Sequence, residues 1–116
     1  MSFYEKLMCK FENYLISNNI STTAQLLYHK LVYLSYKNNW KDFSISNTDL
    51  ARLLGIKSLH TLLSCRDELI ENNLIIKYIE DENKTFSKKN VTKYKILFDN
   101  FNIILFSNFN VKENKD

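Results

Sequence analysis

The chain has 116 residues, 45% of them hydrophobic and 14% aromatic, which suffices for one buried core and leaves no room for a second. No apolar run approaches the length of a membrane span, and the opening MSFYEKLMCKFENY mixes charges with apolar residues where a secretory leader needs an unbroken apolar block. The expectation is therefore a single cytoplasmic domain over 1–116, without membrane contact, and the formal net charge of +3 is too small to mark a nucleic-acid binder by itself.

The first predicted helix covers about 3–17, with Tyr4, Leu7, Met8, Phe11, Tyr14 and Leu15 on one side, a face suited to packing on the domain or on a second subunit. Thr22 followed by Gln25 resembles a capping box and opens a second helix running to about Lys37. Its stripe of Ala24, Leu27, Tyr28, Leu31 and Leu34 is widened by Leu26, Val32, Tyr33 and Tyr36, so this helix is expected to be central. Phe43 to Ile45 is a short β-like piece able to serve as a third strand.

The segment from Ser44 to Ile76 carries the most functional information. Ser46 and Asp49 form a capping-box-like start, so a helix begins near Asn47, with Leu50, Ala51, Leu53 and Leu54 as its apolar face. Gly55, the chain's only glycine, stands where a left-handed terminator is needed. Ser58 can cap the next helix, about Leu59 to Asn72, whose residues Leu59, Leu62, Leu63, Leu69 and Ile70 recur at helical spacing, with Asn73 as its left-handed stop. Aligning Ala51 and Gly55 with a compact repressor-type turn would put Thr61 at the inward position. Leu62 fits only if the turn holds one extra residue, which assigns Lys57 and Ser58 to the turn.

Beyond Asn73, LIIKYIE is β-rich, DENKTFSKKN is polar, and VTKYKILF sets Thr92, Tyr94 and Ile96 against Lys93 and Lys95: a hairpin with a long basic tip. Helix, helix and two-stranded hairpin is the order of a winged helix-turn-helix, an α+β fold with helices on a two- to three-stranded antiparallel sheet. Its core would span about 22–97, and about 98–110, with Phe98, Phe101, Ile104 and Leu105, would add a short amphipathic helix that packs on the core or forms a dimer contact.

In such a fold the second helix of the pair enters the major groove by its N-terminal turns. Subtracting the inward residues leaves Lys57, Ser58, His60, Thr61 and Ser64 to face DNA, with Lys57 suited to a phosphate or guanine, Ser58 to a phosphate, and the other three to base edges. Lys84, Lys88, Lys89, Asn90 and Lys93 would be the wing contacts, although a solvated hairpin tip has the same composition and Glu80, Asp81 and Glu82 oppose the charge. Asn47 and Thr48 can hold a phosphate through helix N-terminal amides. Arg66 is half-inward by periodicity and open to two roles, pairing with an acid or spanning to a phosphate. Asp67, Glu68 and Glu71 would stay in solvent at the helix's far end. A generic helical hairpin in a core, or a surface histidine at position 60, is the plainer reading of the same residues.

The string LLYHKLVYLSYKNNW followed by FSISNTDLARLLGIKSLHTLLSCRDELIENNLIIKY resembles the N-terminal winged-helix domain of phage and plasmid replication proteins related to the primosomal DnaD family. That family ends its recognition helix with Thr-Leu-x-x-Ala-Arg-x-x-Leu-Ile-Glu-x-Gly-Leu-Ile. Thr61, Leu62, Arg66, Leu69, Ile70, Glu71, Leu74 and Ile75 match, Cys65 replaces the alanine, Asn73 the glycine, and Trp40 matches a tryptophan after the preceding helix. The resemblance covers about 24–97 and implies sequence-specific binding of double-stranded DNA at a replication origin of a phage or plasmid, as a homodimer in contact with replication or transfer proteins. The second, helical domain usual in that family is not expected in the short tail. Conjugative transfer, partition and transcription regulation are alternative settings, and a winged helix serving as a protein-interaction module, its lysine tip on an acidic partner, is an alternative of another class.

No enzyme is expected. His29 and His60 lack partners at metal-ligand spacing, no glycine-rich phosphate loop occurs, and no cofactor is implied. Cys9 and Cys65 fall on or near apolar helix faces and read as small buried hydrophobes.

Overall fold

The computed structural model describes residues 2–79 and 91–98. Within them the order is α1 (Phe3–Ser17), α2 (Thr22–Lys37), β1 (Phe43–Ser46), α3 (Asn47–Leu54), α4 (Leu59–Glu71), β2 (Ile75–Ile79) and β3 (Val91–Ile96). The four helices and a three-stranded antiparallel sheet make an α+β fold.

Local chemistry sets the helix ends. Ser2 and Glu5 form a reciprocal capping box on α1: the Glu5 amide donates to Ser2 Oγ at 3.1 Å and the Ser2 amide to Glu5 Oε1 at 2.8 Å. For α2 the cap is Ser21, one residue earlier than the Thr22–Gln25 pattern predicts. Its hydroxyl accepts from the Ala24 amide at 3.3 Å, and Gln25 instead donates its side-chain amide to the Ile20 carbonyl at 2.8 Å. Ser46 and Ser58 cap α3 and α4 as expected, accepting from Asp49 and Thr61 amides at 3.1 and 3.2 Å. Gly55, with φ of 70°, ends α3, and Asn73, with φ of 59°, follows α4.

The turn after α2 is less ordinary. Asn39 and Trp40 are both left-handed, with φ of 60° and 63°, and the Trp40 amide closes the helix by donating to the Ser35 carbonyl at 2.7 Å. A tryptophan gains nothing from that conformation, so its ring must be held by packing. Phe3 supplies the packing from α1 at 5.0 Å between ring centroids, and Phe98, itself 5.2 Å from Phe3, adds to it at 6.4 Å.

The sheet order is β1-β3-β2, so the piece at Phe43 does pair with the hairpin, on the far side of β3 from β2. Register places Phe43 opposite Tyr94 and Ile75 opposite Ile96. Along β3 the alternation is as predicted: Thr92, Tyr94 and Ile96 are buried, while Lys93 and Lys95 lie on the other face. Against the buried face stand Leu27, Tyr28, Leu31, Leu50, Leu62 and Leu69, all without solvent exposure. Leu7 and Phe11 join from α1, and burial of the Tyr28 hydroxyl pushes its pKa far above the usual phenol value.

Several predicted core residues are outside it. Leu59 and Leu53 are each 49% exposed: Leu59 is the first residue of α4, beside the turn, and Leu53 lies at an open groove shared with Leu26 and Tyr33 of α2. Cys9 is exposed, whereas Cys65 is buried as expected. The stripe on α2 is also narrower than predicted: Val32 is buried, but Leu26, Tyr33 and Tyr36 are not. Among the described residues no helix is long and apolar enough to cross a membrane.

Candidate nucleic-acid interface

The helix pair α3 and α4 is joined by Gly55, Ile56, Lys57 and Ser58, and the extra length turns Leu62 into the core, as its spacing requires. Gly55 donates its amide to the Arg52 carbonyl at 3.2 Å and Ile56 to the Ala51 carbonyl at 2.9 Å, which closes α3 before the chain turns. The two faces of α4 then divide cleanly. Leu62, Cys65, Arg66 and Leu69 are buried, while Ser58, Leu59, His60, Ser64 and Asp67 are exposed and Thr61 is half-buried.

On the outer face Lys57, His60, Thr61 and Ser64 form no side-chain hydrogen bond with another described residue. Ser58 accepts from the Thr61 amide but keeps its hydroxyl proton available as a donor. The structure thus brings the predicted Lys57, Ser58, His60, Thr61 and Ser64 together around the positive end of α4, a surface able to donate to phosphate and to exchange hydrogen bonds with base edges. Leu59 adds an exposed apolar side chain to that surface, which periodicity had turned inward.

Arg66 has the opposite fate. It is 7% exposed, and its Nη1 donates to Asn47 Oδ1 and to the Tyr94 hydroxyl, both at 3.2 Å, so it clamps α4 to the start of α3 and to the middle of β3. Its partner is neither an acid nor a phosphate. The Nε proton of Arg66 is buried without a hydrogen-bond partner. Asn47, predicted beside DNA, has its side chain turned inward to receive Arg66 and is 8% exposed, while Thr48 is exposed. The Asp49 carboxylate, 2.8 Å from Arg52, places negative charge in the same first turn of α3, which works against an anion there.

Glu68 departs from expectation in a similar way. Its carboxylate accepts from the Ser21 amide at 2.7 Å and hydroxyl at 2.8 Å, so an acid of α4 covers the positive end of α2. Nearby, burial and the Glu68 charge push the Cys65 thiol up, keeping it protonated. At the end of α4 the Tyr14 hydroxyl donates to Asn72 Oδ1 at 2.8 Å, and Asn72 donates in turn to the Glu68 carbonyl at 2.9 Å, tying α1 to the same helix.

Of the predicted wing residues, Lys93 lies half-buried in β3 on the face of the sheet turned away from the helices, opposite Ser44 on one side and Tyr78 on the other. It does not share a face with the α4 residues. Lys84, Lys88, Lys89 and Asn90 fall outside the described residues, as do Phe101, Ile104 and Leu105. Among the described residues no group of three or more His, Cys, Asp or Glu side chains could hold a metal ion. Compared with models of protein families, with curated proteins and with solved structures, the chain has no significant match in any of the three.

Proposed function

We propose that this chain is a winged-helix protein that binds specific sites in double-stranded DNA, with α4 as the recognition helix and the β2–β3 hairpin as the wing, acting at a replication origin of a phage or plasmid. The observation that carries the reading is the division of α4. One face is locked into the core, and the other offers Lys57, Ser58, His60, Thr61 and Ser64 at the helix's positive end, with their side chains uncommitted apart from the Ser58 cap. The element order and the three-stranded antiparallel sheet are compatible with a winged helix, and that supports the reading. The resemblance to DnaD-related replication proteins supports the origin as the place of action. Transfer, partition and transcription control use the same DNA contacts and differ only in the site recognised.

Binding to duplex fragments from the locus that encodes the chain, measured across salt concentrations, tests the reading. A preferred fragment, with affinity falling steeply as salt rises, is the expected result. Replacing Lys88 and Lys89 with alanine should weaken binding to every sequence about equally and flatten the slope by about one counterion per lost phosphate contact. No preference over random DNA would overturn the reading in favour of a winged helix that docks an acidic protein partner.

A further inference from the structure

The outer face of α2 is apolar where a solvent face is normally polar. Leu26, Tyr33 and Tyr36 are 55%, 44% and 48% exposed, and their spacing keeps them on one side of the helix. Leu53 of α3 faces the same region, and together with Leu54, His29 and Lys30 it flanks Leu26 and Tyr33 in an open groove of about 320 Å³. Single exposed apolar residues are ordinary on a protein surface, but four of them gathered beside a groove form a surface suited to docking an apolar segment.

The rings indicate where the cover comes from. Tyr33 lies 6.5 Å from Tyr36, Tyr36 lies 5.8 Å from Trp40, and Trp40 lies 6.4 Å from Phe98, so an aromatic track runs from the groove to the point where the chain continues past β3. The sequence that follows, DNFNIILFSNF over 99–109, is rich in large apolar residues: Phe101, Ile103, Ile104, Leu105, Phe106 and Phe109. From Tyr36 to Leu26 the track is roughly 15 Å long at the rise of a helix. Phe98 stands two further ring steps, of 6.4 and 5.8 Å, before Tyr36. Eleven residues span about 16 Å as a helix and about 36 Å when extended, so the segment covers the whole track when it is largely extended. A segment tethered at Phe98 is presented at an effective concentration on the order of millimolar, far above that of a second copy in dilute solution.

We propose that residues 99–109 return along the outer face of α2 and seat their apolar side chains in the groove between α2 and α3 of the same chain. The inference stands whether or not the chain binds DNA.

A nitroxide attached to the exposed position 52 in an Arg52→Cys chain, with Cys9→Ser to remove the other exposed thiol, puts a paramagnetic probe beside Leu53 without altering the groove. In an isotope-labelled sample the amide signals of residues 101–109 should be broadened. Adding Leu26→Glu, a change at an exposed site, should restore them. Unbroadened signals in the first chain would overturn the proposal. So would broadening that persists undiminished when the nitroxide is carried only by a second, unlabelled copy, since the groove would then hold a neighbouring molecule.

Discussion

Both faces of α4 carry polar side chains, and those side chains do opposite things. On the inner face Arg66 is bound to Asn47 and Tyr94 and is nearly sealed from water, and at the edge Glu68 is bound to Ser21. On the outer face His60, Thr61 and Ser64 make no such bonds. Charge alone therefore does not mark an interface on this helix. The arginine, the residue type most often found on a phosphate or a guanine, is used here to hold α4 against the start of α3 and the middle of β3.

The largest test of that contrast is Arg66→Ala. Removing it strands Asn47 Oδ1 and the Tyr94 hydroxyl and opens a hole, which should lower stability by about 3 kcal/mol, read from the urea midpoint. An unchanged midpoint together with lost DNA affinity would move Arg66 to the outer, DNA-contacting group. His60→Ala and Thr61→Ala should do the reverse. Each should cost on the order of 1 to 3 kcal/mol of binding to the preferred duplex and little on random DNA, with the unfolding midpoint held. Equal losses on both DNAs would assign those residues to the phosphate backbone.

A smaller effect is expected from Ser21→Ala, which deletes the cap on α2 and one of the two bonds to Glu68. About 1 kcal/mol of stability should go, with DNA affinity unchanged when measured on folded protein. Smallest near neutral pH are the effects of pH itself. Burial raises the Cys65 thiol above its ordinary 9.0 and the Tyr4 and Tyr14 phenols above 10.0. A raised folded-state pKa means that the folded chain holds its proton longer than the unfolded one, so stability is full below those values and falls as pH rises through them. In the other direction, the backbone and hydroxyl hydrogen bonds from Ser2 lower the Glu5 pKa, so the α1 cap weakens as pH falls through that of Glu5, seen as early fraying of α1 in hydrogen exchange. A stability curve that rose with alkaline pH would contradict the burial of Cys65 and these tyrosines.

What could be read in advance follows the range of the interactions. The bounds of α3 and α4 were legible because their stops and caps are short-range: Ser46, Gly55, Ser58 and Asn73 act within a few residues of themselves, and α1 was legible from its apolar periodicity. The strand alternation of Thr92, Tyr94 and Ile96 was legible for the same reason. Arg66 with Tyr94, and Glu68 with Ser21, join residues far apart in sequence, and no spacing rule brings them together. Asn47 illustrates the difference: its place at the start of α3 was readable, but the direction of its side chain depended on an arginine in the next helix. Leu59 and Leu53 were misplaced because periodicity assigns a face without knowing where a turn ends or which neighbour covers the flank. Around the start of α4, subtraction of the inward residues was enough to tell that Lys57, Ser58, His60 and Ser64 face outward and that Thr61 lies at the edge, while strand geometry carries Lys93 to the far face of the sheet.

Trp40 is the chain's only tryptophan, and the cluster around it joins Phe3 near one end of the described chain to Phe98 near the other. Its indole is therefore a native optical gauge. Any event that parts α1 from the end of the sheet, whether unfolding, ligand binding or a truncation, changes the surroundings of a single emitter, so the closure of the whole domain can be followed by its intrinsic fluorescence without attaching a label.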